Sequence, residues 1–318
     1  MENLTINGVK KLVEQYEKSN KIIKSNKLKF LGVGNKDVYN ISTPIISNSK
    51  KYLAGRVEKR KDWANSETFL FEKVNEHWQP IEIKFKLEDP FHTRIDNRLI
   101  FGGVCVFPHG YDIHQNEKIN FRTYFYKGKD IFNLEKFAEG PLNMKDIRLI
   151  ELPNKKIGVF TRPQGKIGGL GKIGFTIINS LTELTPKIIQ NVPILKFNPD
   201  NSMWIGSNEI HLLQNNKLGI IGHVAYLSEN NNRNYYPIAF IFDYKTKEVS
   251  NLKIIAQRKD LPKGPSKIHP ELTNVLFPGG IIRNKNKTAT LYTGVSDAEA
   301  YEILIKDPFL EYEKEQEN

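Results

Sequence analysis

The feature that most constrains this chain is a unit that recurs five times between residues 37 and 297. In each copy a polar, often acidic residue opens a strand, a polar turn follows, and an apolar strand ends in polar groups. The first copy runs Asp37-Val38-Tyr39-Asn40-Ile41, turns near Asn48-Ser49-Lys50 and returns from Tyr52 to Glu58. The second opens at Glu88-Asp89-Pro90-Phe91, turns at Asp96-Asn97 and returns from Leu99 to Val104. The third opens at Lys145-Asp146-Ile147-Arg148, turns at Asn154-Lys155 and runs from Ile157 to Arg162. The fourth passes from Asn208-Glu209-Ile210-His211 through Asn215-Asn216 to His223, and the fifth from Asn274-Val275 through Asn284-Lys285 to Asp297.

Copies spaced by roughly 50–70 residues suit four-stranded blades with variable loops. The expected fold is therefore all-β, a five-bladed β-propeller with a short N-terminal helix. Residues 1–28 are read as a helical extension, 29–310 as the propeller and 311–318 as a charged, frayed tail. The helix rests on Val9, Leu12, Val13, Tyr16 and Ile22-Ile23, which repeat at roughly helical spacing. Eighteen Phe and 13 Tyr favour β structure.

Such a fold makes distant residues converge. Side chains that open equivalent strands gather around one axis, here Asp37, Asp89, Asp146 and Glu209, with Asn40 close behind Asp37. The return strands bring Glu58, Arg162, His223 and Asp297 to the same mouth. So many ionisable groups at equivalent positions point to a site. Glycosidic cleavage needs a protonated acid at the leaving oxygen. Inverting hydrolysis adds a carboxylate that activates water, and phosphorolysis replaces that water with phosphate held by cations. The Glu88-Asp89 pair is the source of the acid, because a neighbouring carboxylate and partial burial both raise a pKa. Glu209 and His211 share one strand face, which suits a base with a sugar-binding partner. A metal pair there would need a third ligand, and only scattered ones are present. Trp204, just before Glu209, is the best platform for a sugar face, whereas Trp78 reads as core and Trp63 fits either role. Singly, several of these have structural readings: Asp89-Pro90 as a turn opener, Asp146 in an ion pair with Lys145 or Arg148, His223 as a buried hydrogen-bonded residue.

Other function classes fit less well. The net charge of +11 is carried mostly by Lys scattered through turns such as Asn154-Lys155-Lys156, unlike a nucleic-acid surface. The single cysteine, Cys105, excludes a disulfide framework and sits in an apolar run as a small core side chain. Gly165-Lys166-Ile167-Gly168-Gly169-Leu170-Gly171-Lys172 lacks the Gly-Lys-Ser/Thr ending of a phosphate loop and reads as an inter-strand loop. No run of 18 apolar residues and no apolar signal core is present, so no membrane association and a cytoplasmic location are expected.

In motif order the chain resembles glycoside hydrolase family 130, five-bladed propellers that cleave β-mannosides by phosphorolysis or hydrolysis. The matching pieces are Gly55-Arg56-Val57-Glu58, Leu87-Glu88-Asp89-Pro90, Met144-Lys145-Asp146, Asn274 to Gly279 and Leu291 to Asp297. Over nearly its whole length it also resembles the domain of unknown function 1861 family, through Met144 to Leu149, Phe160 to Gly165 and Ser296 to Ala300. The resemblance implies that Asp89 is the catalytic acid. It also implies that Arg56, Lys145, Asp146, His223 and Asp297 lie near the sugar or its phosphate acceptor. Phe91 stands where the family's motif has arginine, and Thr161-Arg162 where it has His-Arg, so two phosphate-binding side chains are either missing or supplied elsewhere, for example by Arg94 or Arg162. These departures tilt the reading towards hydrolysis with Glu209 as base, or towards a different substrate. The expected partner is a carbohydrate. No cofactor or metal is expected, and inorganic phosphate is the candidate co-substrate. The rival reading is a non-catalytic propeller that binds a glycan or a protein.

Overall fold

A computed structural model describes residues 4–19, 22–60, 66–111 and 117–314. The chain is mostly β, with a helix α1 (Ile6–Ser19) at its start. The helix buries Val9 and Tyr16, two turns apart on one face, and ends before Ile22-Ile23. Ile23 instead donates its N–H to Leu304 O and leads into β1 (Lys24–Lys27), a strand inside the stretch expected to be helical. Trp63 lies outside the described residues.

The strands fall into consecutive groups. The first holds β2 (Asp37–Tyr39), β3 (Ile45–Ser47), β4 (Lys50–Glu58), β5 (Glu67–Val74) and β6 (His77–Phe85). The second holds β7 (Glu88–Ile95), β8 (Arg98–Tyr111), β9 (Glu117–Gly128) and β10 (Glu135–Glu139). The third is β11 (Arg148–Glu151), β12 (Ile157–Thr161) and β13 (Gly174–Ile178). Then come β14 (Met203–Leu212), β15 (Leu218–Leu227), β16 (Arg233–Phe242) and β17 (Lys253–Ile254). The last group is β18 (Asn274–Arg283), β19 (Thr288–Val295) and β20 (Glu299–Lys306), with β1 antiparallel to β20. A two-residue parallel contact, Asn234↔Asn274 and Tyr235↔Val275, joins the last two groups into one sheet.

Turn chemistry explains the hairpins. Ser47↔Lys50 and Ile95↔Arg98 each close a two-residue loop, and both loop residues have positive φ: Asn48 (48°) with Ser49 (61°), Asp96 (52°) with Asn97 (58°). This loop conformation matches the twist of the flanking strands, and Asn and Asp tolerate it best after glycine.

Each group shares an apolar core with the next. Tyr52 and Leu70 pack with Leu87 and Phe101, Phe91 and Ile100 with Leu149 and Val159, Phe160 and Phe175 with Ile205 and Ile220. Ile221 and Ile241 pack with Leu276 and Leu291, and Val38 and Ile41 pack with Tyr292 and Ala300, which brings the last group back against the first. Trp78 is buried in that final core, as expected. The tail is partly docked. The helix α2 (Leu310–Lys314) carries Glu313, which pairs with Arg283 at 2.6 Å. Residues 315–318 lie outside the described residues. Among the described residues no helix is long and apolar enough to cross a membrane.

Candidate functional site

A cavity of about 560 Å³ gathers residues from all five groups, Arg233 and Tyr235 of β16 included. Its polar lining includes Asn40 after β2, Arg56 on β4, Glu88 and Asp89 at the start of β7, Lys145 before β11, and Asp297 between β19 and β20. Asn40, Asp89 and Asp297 have left-handed backbones (φ 44°, 48° and 50°), as does Asp146 (56°). Local strain of this kind persists where the surrounding structure fixes a side chain. At Asp89 the cause is a bulge. Glu88 pairs with Val104 and Phe91 with Gly102, so Asp89 and Pro90 together face Gly103. Pro90 has no N–H to lose in this unpaired position, and the bulge re-aims the Asp89 side chain.

Asp89 Oδ1 accepts a hydrogen bond from Asn40 Nδ2 at 2.8 Å and lies 3.8 Å from Arg56 Nη1. Oδ2 carries no hydrogen bond among the described residues. Arg56 is the hub of the acidic side. It reaches Glu88 at 2.8 Å and Glu58 at 3.1 Å through Nη2, and donates to Ser66 Oγ at 2.7 Å through Nε. Glu58 is buried behind it and also accepts from Tyr39 Oη and Lys267 Nζ. Burial opposes the Glu58 charge, but Arg56, Lys267 and Tyr39 outweigh it and hold the carboxyl below its usual range. Burial pushes Glu88 up, Arg56 opposing and Asp89 adding to the shift. It pushes Asp297 up as well, again against Arg56 and with Asp89.

A second, fully buried cluster contains Asp146, Arg162, His223 and Asn208. Arg162 Nε lies 3.1 Å from Asp146 Oδ2 without hydrogen-bond alignment, so both atoms are left unpaired. His223 Nδ1 meets Asn208 Oδ1 at 2.7 Å, and its Nε2 is 3.8 Å from Asp146. Burial lowers His223 to about 3, with Asp146 opposing and Arg162, Lys145 and Arg148 adding to the effect. Burial resists the charge on Asp146 too, yet the carboxyl falls to about 2. Since His223 is neutral near pH 7, Arg162, Arg148 and Lys145 are what keep it ionised. Gly206 makes this packing possible, because a Cβ there would lie 2.6 Å from His223 Cε1 and 2.7 Å from Asp146 Oδ2.

The family model described as protein of unknown function (DUF1861) matches residues 14–311. The chain belongs to the DUF1861 family. Among solved structures it is similar to MPT-4, a mannose phosphorylase from Leishmania mexicana determined with a phosphate ion (34% identity, 96% of this chain and 95% of that one, TM-score 0.87). It is also similar to MPT-1, a GDP-Man-dependent mannosyltransferase from the same organism (31%, 96% and 95%, 0.84). A β-1,2-mannobiose phosphorylase from Listeria innocua shares the fold at 16% identity (89% and 94%, 0.63). No curated protein matches the chain.

Several residues singled out in the sequence of this DUF1861 member lie elsewhere. Glu209 is not at a strand opening but near the end of β14, past a bulge between Ser207 and Glu209, and it does not line the cavity. Both its oxygens are occupied: Thr43 Oγ1 donates to Oε1 at 3.0 Å, and Ile281 N–H (2.7 Å) and His211 Nε2 (2.7 Å) meet Oε2. His211 is held there with it. Burial resists the Glu209 charge, but His211 and the Ile281 N–H lower its pKa below the usual value. Asp37 is taken up by Arg60 in two bonds of 2.7 and 2.8 Å. Arg94 points to the Asn97 carbonyl at 3.2 Å on the exposed turn. Trp204 donates Nε1–H to Tyr235 Oη at 3.1 Å, so it reaches the cavity through Tyr235, which lines it. Arg148 lies 4.0 Å over the Phe91 ring and donates to Asn208 O at 2.7 Å. Burial lowers its guanidinium to about 10. Cys105 is half-buried, and burial pushes its thiol up.

Lys267, Lys86, Arg233 and Phe277 also line the cavity, although the sequence reading did not select them. Lys267 sits in the aperiodic loop between β17 and β18, and its N–H is tied to Ser296 O at 3.0 Å. No local pattern marks such a residue. Among the described residues no cluster of His, Cys, Asp and Glu is arranged to hold a metal ion. A larger cavity, about 830 Å³, lies between α1 and α2 and contains none of the expected site residues.

Proposed function

We propose that this chain is a mannoside phosphorylase built as a five-bladed β-propeller, with Asp89 as the general acid and inorganic phosphate as co-substrate. The five strand groups and their circular succession of cores support the blade reading, with β1 completing the last blade beside β20. The single observation that carries the chemistry is the charge of the cavity lining. Arg56, Lys86, Lys145, Arg233 and Lys267 face Glu88, Asp89 and Asp297, an excess of two positive charges. Lys86 and Lys145 form no ion pair among the described residues. Such cations suit a phosphate rather than a bare water. Glu209, the expected water-activating base, lies outside the cavity with both oxygens engaged, which removes the reason for favouring hydrolysis.

In the reaction a phosphate oxygen bonds to the anomeric carbon while the bond to the leaving oxygen breaks. The Asp89 proton passes to that oxygen. The products are the freed alcohol or sugar and a sugar 1-phosphate of inverted configuration. Arg56 and Lys145 neutralise the phosphate, and Asn40 fixes the Asp89 carboxyl.

The test is incubation with β-mannobiose with and without phosphate, analysed for mannose 1-phosphate, alongside Asp89→Asn. Phosphate-dependent product that disappears in the variant supports the reading. Free mannose formed at the same rate without phosphate would assign hydrolysis instead. Turnover of GDP-mannose alone would assign glycosyl transfer.

A further inference from the structure

Beyond Val104 the second strand group narrows to a two-stranded ribbon. β7 pairs with β8 only between Glu88↔Val104 and Ile95↔Arg98, and β10 pairs with β9 only over Tyr124–Lys127. β8 and β9 continue together to Tyr111↔Glu117. Directly opposed residues of antiparallel strands share a face, as do residues two apart along one strand. One ribbon face therefore carries Val104 opposite Thr123, Val106 opposite Phe121, and Pro108 opposite Ile119. Four of these, Val104, Val106, Pro108 and Ile119, line the Asp89 cavity, and so does Phe107, which alternation places on the other face. The Ile119 side chain is 57% exposed.

The ribbon is anchored at one end. Its base is pinned by Gly140 N–H to Thr123 O and Asn143 N–H to Phe121 O, both 2.8 Å, in the segment that leads into Lys145. The cavity is thus two-sided. Asn40, Arg56, Asp89, Lys145 and Asp297 supply hydrogen-bonding groups, whereas the four ribbon positions supply none. A polar sugar laid against Val106 and Ile119 would leave hydroxyls facing aliphatic carbon, which costs free energy unless they find other partners. An apolar group there removes exposed hydrocarbon from water on both sides.

We infer that the ribbon face is the leaving-group subsite of this cavity, and that it takes an apolar aglycone, an alkyl or aryl group, in place of a second sugar. This rests on the proposed mannoside phosphorolysis and names its substrate class. In the reverse direction the same surface receives an alcohol bearing an apolar chain, which attacks the sugar 1-phosphate, releases phosphate and returns its proton to Asp89.

The experiment compares methyl and hexyl β-mannoside as phosphorolysis substrates, because both release alcohols of nearly equal acidity and differ chiefly in apolar area. The hexyl substrate should have a kcat/KM about tenfold or more above the methyl one, mainly through KM. Ile119→Ser and Val106→Thr should each lower that ratio. Calorimetry without phosphate should show the same preference in Kd, independent of turnover. Equal constants for the two mannosides, with β-mannobiose turned over faster than either, would overturn the apolar subsite and leave the phosphorylase reading standing. No phosphate-dependent turnover of any mannoside, together with no difference in Kd, would overturn both.

Discussion

His223 makes the protein's stability depend on pH in a way that can be computed from its burial. The ring is 1% exposed, bonded to Asn208, and packed between Tyr235 and Phe277 at centroid distances of 5.6 and 5.1 Å. Its pKa falls from the ordinary value near 6.5 to about 3 in the fold. The folded protein therefore keeps this ring neutral at pH 5, while the unfolded chain binds a proton there. Stability is full above pH 6.5 and falls by roughly 1.4 kcal/mol per pH unit below it, until about pH 3. Between pH 7 and pH 5 this one residue removes about 2 kcal/mol. Asp146 acts in the same direction at lower pH. Its stabilisation is present above the unfolded carboxylate pKa and lost as pH falls towards about 2. The perturbation is His223→Gln, which keeps a polar side chain but cannot titrate. Urea unfolding of both proteins at pH 7 and pH 5 should show that the variant, whatever its stability at pH 7, loses about 2 kcal/mol less on acidification. His92, also depressed by burial, contributes equally to both proteins and cancels. Equal losses would refute the reasoning, since the folded state would then be protonating His223 along with the unfolded chain.

Three further outcomes follow from named contacts. Glu58→Gln leaves the buried Lys267 and the partly buried Arg56 without their shared carboxylate, so it should cost about 3–5 kcal/mol in chemical denaturation, and a change within about 1 kcal/mol would contradict that role. Gly206→Ala places a methyl against His223 and Asp146, neither of which has room to withdraw, and should lower stability by about 1–3 kcal/mol in thermal unfolding. Lys145→Met should raise KM for phosphate about tenfold or more, with a smaller effect on KM for the mannoside; equal effects on both would detach Lys145 from the phosphate.

The succession of strand pairs, the hairpin turns and the arrival of Asp89 at a polar cavity were legible because their causes are local. Apolar alternation and Asn/Asp pairs at two-residue loops act over a few residues, and Glu88-Asp89-Pro90 carries its own bulge. The fates of Asp37 and Glu209 were not legible. Arg60 takes up the first, and the second is consumed by Thr43, His211 and Ile281, the first and last of them more than 70 residues away in sequence. Lys267 was invisible for the opposite reason: it lies in a loop without periodicity and reaches the cavity only because its backbone is tied to Ser296. Repetition along the chain thus determined that polar groups would converge. Which of them face open space, and which satisfy one another, was decided by bulges and by packing between groups, because a hydrogen bond depends on positions that no single stretch of sequence sets.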